Sequence, residues 1–96
     1  MTTRADILRI VYDALADLNA QLPADRRVES RETTILIGQG SALDSLGVVE
    51  LLVAIEERVA SATGATVSLL EPLGQRLTSE PTDVATIVDV VLAQLG

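Results

Sequence analysis

Apolar positions along the chain fall into three helical stretches separated by two irregular ones. From Thr3 to Leu22, Ile7, Val11, Leu15, Leu18 and Leu22 recur at spacings of four and three, one face of an amphipathic helix. Thr3 followed by Asp6 fits a capping box, and Pro23 stops the helix. The second helix is predicted from Ser45 to about Ser61. Leu46, Val49, Val53 and Ile55–Val59 form a wide apolar face there, with Glu50, Glu57 and Ser61 on the opposite side and Gly64 as the stop. The last helix is predicted from about Asp83 to Leu95, with Thr82 as N-cap and Val84, Ile87, Val88, Val91 and Leu95 as its stripe.

Residues 23–44 show no sustained period. They contain Pro23, an Asp25-Arg26-Arg27 cluster and Gly38-Gln39-Gly40-Ser41, and read as a long loop anchored by Ile35-Leu36-Ile37. A short strand at Thr34–Ile37 is the alternative. It ranks lower because no second strand pattern offers a partner. Residues 65–80 are irregular, and a short third helix fits around Leu69–Leu77. The fold class expected is therefore all-α: a small four-helix bundle with a long loop between helices 1 and 2. The 96 residues suit a single domain, 1–96.

Composition narrows the chemistry. The chain has no Cys and no His, and all seven basic residues are Arg. Disulfides, thiolate nucleophiles, Cys/His zinc sites, Ser-His-Asp arrangements and Lys Schiff bases are excluded for the chain itself. The remaining acids are dispersed along helix surfaces, so no enzyme activity is expected. The core must be aliphatic, since Tyr12 is the only aromatic residue.

The net charge of −7 argues against nucleic acid and anionic membranes as partners. Residues 1–31 hold five Arg and five acids, whereas residues 32–96 hold nine acids and only Arg58 and Arg76. An acidic field of this kind favours partners with basic docking patches, and it also simply keeps a small domain soluble. Arg26, Arg27 and Arg31 are read as surface pairing with Asp25, Glu29 and Glu32. Neither a signal peptide nor a membrane span is visible, so a cytoplasmic protein without membrane insertion is expected. A small aliphatic core gives no reason for an obligate oligomer, so a monomer is expected.

One junction carries candidate chemistry. In the string LDSLGVVELLVAIEE, Leu43 to Glu57, Asp44-Ser45-Leu46 sits where a Gly-bearing loop becomes an amphipathic helix. That placement exposes the Ser45 hydroxyl at a helix N-terminus, where free amides and the dipole favour an attached phosphate. The residues also admit a plain structural reading. Asp and Ser are among the best N-caps, and Ser41-x-x-Asp44 matches a capping box with an earlier helix start.

This string resembles the acyl carrier protein family and the related peptidyl carrier domains. Asp44-Ser45-Leu46 matches the family's Asp-Ser-Leu, and Val48, Val49, Glu50 and Leu51 match the start of its second helix. Glu56-Glu57 matches the acidic pair near that helix's end. The resemblance implies 4′-phosphopantetheine attached to Ser45 by a phosphopantetheinyl transferase from coenzyme A with Mg²⁺. It places Glu50, Val53 and Glu57 on the face shown to acyl-loading and acyl-transfer enzymes of fatty-acid, polyketide or specialised biosynthesis, and leaves Glu56 as generic surface. Gly47 stands where fatty-acid carriers usually have an acid, and TILIGQGSALDSLG looks more like carriers of specialised gene clusters. The cargo is open between acyl and aminoacyl or peptidyl groups, with the acidic second helix favouring acyl. The rival class is an unmodified helical interaction module.

Overall fold

The capping box at Thr3 starts the first helix, α1 (Arg4–Asn19): the Asp6 amide donates to Thr3 Oγ1, and the Thr3 amide donates to Asp6 Oδ2. The structure is a computed structural model that describes residues 2–41, 43–74 and 81–96. Helix α1 ends three residues before the predicted Leu22. Its last turn tightens instead, with the Gln21 amide bonded to Leu18 O and the Leu22 amide to Asn19 O before Pro23.

After α1 come a 3₁₀ turn (Ala24–Arg26), strand β1 (Ile35–Ile37), helix α2 (Ser45–Thr63), helix α3 (Leu70–Gly74), strand β2 (Thr82–Asp83) and helix α4 (Val84–Leu95). The described residues are mostly helical, with four α-helices and one small two-stranded sheet. The predicted third helix covered Leu69–Leu77. Its part beyond Gly74 lies outside the described residues.

The helical class holds, and the sheet adds to it the short strand at Ile35–Ile37 that the sequence pattern ranks below a loop. Strand β1 pairs antiparallel with β2, Ile35 opposite Asp83 and Ile37 opposite Thr82, with an irregularity between them. The segment read as a loop anchor thus becomes a strand, because its partner is a two-residue stretch too short to show a period. The same pairing corrects the start of α4. Thr82 is taken into the strand, and Asp83 caps the helix, its Oδ1 accepting from the Thr86 amide at 2.9 Å and the Thr86 hydroxyl at 2.8 Å. Two first-turn amides of α4, Val84 and Ala85, donate to Thr34 O and Glu32 O.

The core is aliphatic. Ile7, Val11, Ala14, Leu15 and Leu18 of α1 are buried together with Leu36 and Ile37 of β1. They meet Val48, Leu51, Leu52, Ile55 and Val59 of α2, and Val84, Ile87, Val88 and Val91 of α4. The predicted stripes of α1 and α4 are the buried ones, with Leu22 and Leu95 partly buried against the core. On α2 the expectation fails in part. Leu46 and Val49 are exposed, at 66% and 39%, and share the solvent side with Glu50 and Glu57.

Polar contacts tie the connections to the helices. Arg4 donates to Asp89 of α4 at 2.7 Å and to Glu32 before β1 at 2.5 Å, while Arg58 of α2 pairs with Asp17 of α1. Two side-chain amides act alike. Asn19 exchanges two bonds of 2.8 Å with the Val28 backbone, and Gln94 exchanges two of 2.8 Å with the Ser68 backbone. No helix among the described residues is long and apolar enough to cross a membrane.

Candidate functional site

The approach to α2 is a fixed turn. Gly38 and Gly40 hold φ of 89° and 92°, a region that side-chain-bearing residues rarely enter. The Ser41 amide donates to Gly38 O, and the Ser41 hydroxyl donates to Leu36 O at 2.8 Å while accepting from the Leu43 amide at 3.0 Å. Ser41 is therefore spent on the turn. The capping box beginning at Ser41 does not form, and α2 starts at Ser45.

Asp44 is the N-cap. Its Oδ1 accepts from the Gly47 amide at 2.7 Å, and its carbonyl accepts from the Val48 amide at 3.0 Å. A Cβ built on Gly47 would stand 3.2 Å from Asp44 Oδ1 and 3.6 Å from Leu43, so the bare glycine lets the cap and Leu43 settle over the first turn.

Ser45 is the first residue of α2 and is exposed. Among the described residues neither its hydroxyl nor its amide makes a hydrogen bond. The capping account thus explains Asp44 and gives Ser45 no structural task among the described residues. An exposed hydroxyl beside a free first-turn amide suits a phosphoester, whose anionic oxygens the helix N-terminus favours. Leu46 beside it is the most exposed large apolar side chain among the described residues.

Leu46, Glu50, Val53 and Glu57 fall at spacings of four, three and four, and so lie along one stripe of α2. Leu46, Glu50 and Glu57 are exposed and Val53 is half-buried. The three predicted docking residues thus share a face, which Leu46 extends toward the N-terminus of the helix. On the α1 side a cleft of about 210 Å³ is lined by Leu18, Leu22, Leu43, Gly47, Arg26 and Glu50, among others. Ser45 does not line it.

Two expectations about charged residues are corrected. Arg31 pairs with Glu29 at 3.0 Å as expected, but Glu32 is taken by Arg4, and Arg26 and Arg27 make no ion pair among the described residues. Glu56 is not generic surface. It is half-buried, and its Oε2 accepts from the Leu69 amide at 2.6 Å and the Leu70 amide at 3.4 Å. Sequence reasoning missed this because its partners are backbone amides of another segment. The one available signal was a second acid beside the exposed Glu57.

The chain matches no protein-family model, and no curated protein or solved structure is significantly similar to it.

Proposed function

We propose that the chain is a carrier protein of the acyl carrier type, bearing 4′-phosphopantetheine on Ser45. The observation that carries this reading is the Ser45 hydroxyl itself: exposed, at the first position of α2, and free of any capping role among the described residues. Its setting in Asp44-Ser45-Leu46, followed by a stripe of Glu50, Val53 and Glu57, supports the same reading. The architecture that goes with it is a four-helix bundle with a long connection between the first two helices, acting as a single domain and a cytoplasmic monomer.

Attachment requires a separate transferase with Mg²⁺. The Ser45 oxygen forms an ester to phosphorus, a phosphoanhydride bond of coenzyme A breaks, and adenosine 3′,5′-bisphosphate leaves. The group then supplies the thiol on which an acyl cargo is held as a thioester, in a chain that has no cysteine of its own. The chain's own residues position rather than catalyse. Asp44 fixes the first turn, and Glu50 and Glu57 steer partners with basic patches into weak, fast encounters.

The test is the intact mass of the protein after incubation with a broad-specificity phosphopantetheinyl transferase, coenzyme A and Mg²⁺. The expected result is one added phosphopantetheine on the wild type and none on Ser45→Ala. No addition to a folded wild type, with a known carrier modified in parallel, would leave the unmodified interaction module as the better reading.

A further inference from the structure

The described part of helix α3 spans five residues, little more than one turn. Pro72 has no amide hydrogen, and the Leu73 amide bonds to Leu69 O at 3.0 Å. The amides that open this turn, Leu69 and Leu70, are instead held from α2 by the Glu56 carboxylate. On the other side, Gln94 of α4 clamps both backbone groups of Ser68. Three consecutive residues, 68 to 70, are thus fastened by side chains of the two helices that flank them. Beneath them Val67, Leu69 and Leu73 are buried.

We propose that Glu56 is a latch: its carboxylate holds the 67–74 segment against α2, and its release lets that segment open as a unit while α1, α2 and α4 stay packed. The physical basis is a division of labour. The long helices bury continuous stripes against one another, whereas the 67–74 segment rests on three buried side chains and on bonds supplied by Glu56 and Gln94. Segments with few buried contacts and borrowed hydrogen bonds open below the global unfolding free energy. This inference is independent of any modification of Ser45.

Native-state amide hydrogen exchange on the full chain tests it, comparing wild type with Glu56→Ala, Glu56→Gln and Glu57→Ala. Leu73 is the decisive reporter, because its amide bonds to Leu69 O and not to Glu56. In Glu56→Ala its protection should fall about tenfold or more, the loss expected for a hydrogen bond to a charged group. Val11 and Val88 should keep theirs. Glu56→Gln, which retains a carbonyl acceptor, should restore much of the protection, and Glu57→Ala should change nothing. Unchanged Leu73 exchange in Glu56→Ala overturns the proposal. So does an equal loss at Val11 and Val88, which would mean that the segment opens only with the whole fold, and so does a Glu56→Ala chain that fails to fold.

Discussion

Asn19 and Val28 close a ring of two hydrogen bonds: Asn19 Nδ2 donates to Val28 O, and the Val28 amide donates to Asn19 Oδ1, both at 2.8 Å. The side-chain amide stands in for a strand neighbour where α1 ends, and it holds the start of the long connection so that Val28 enters the core. Asn19→Ala removes both bonds and leaves two backbone groups partly buried without partners. A loss of about 1–3 kcal/mol is expected. Urea unfolding should show it as a lower midpoint at an unchanged slope.

Asp44 and Ser45 are neighbours with separable roles. Asp44→Ala deletes the cap on α2 and should cost about 1 kcal/mol. Ser45→Ala removes an exposed hydroxyl with no bond among the described residues, so stability should stay within about 0.5 kcal/mol of wild type. Thermal unfolding of the two variants side by side checks this. A Ser45→Ala loss as large as that of Asp44→Ala would return Ser45 to a structural role.

Thr82 is fully buried in β2, opposite Ile37, and its hydroxyl finds no partner among the described residues. Thr82→Val keeps the branched shape and the strand while removing a buried polar group. A gain of about 1 kcal/mol is expected. A destabilised Thr82→Val, measured by chemical denaturation, would mean that the hydroxyl is hydrogen-bonded in solution.

The Asp6 carboxyl titrates below the ordinary aspartate range, chiefly because the Thr3 amide donates to it, with the Thr3 side chain and the charge of Arg9 adding to the effect. The folded protein therefore binds this proton less readily than the unfolded chain. The stabilisation is present above the ordinary aspartate pKa of about 4 and is lost as pH falls through the lower folded value. Carboxyl NMR titration should place Asp6 below the ordinary aspartate value of about 4. In Asp6→Asn the fraying of the first turn of α1 should depend less on acid pH, with the Arg4 pairs to Glu32 and Asp89 left to titrate.

What the sequence by itself determined is whatever a local period or a single punctuating residue encodes. The buried stripes of α1 and α4, the Thr3–Asp6 box, the stop at Gly64 and the loop-to-helix junction at Asp44-Ser45 are legible because each depends on residues within one or two turns. On α2 the pattern was ambiguous. Apolar residues occur almost all the way round it, so only packing decided that Val48 and Leu52 face the core while Leu46 and Val49 face water. The tertiary structure alone decided the β1–β2 pair, the transfer of the α4 cap from Thr82 to Asp83, and the capture of the Leu69 amide by Glu56. These are pairings between short segments far apart in the chain. Their partners are backbone groups, which every residue carries alike, so nothing in residue identity marks them until the helices have brought the segments together.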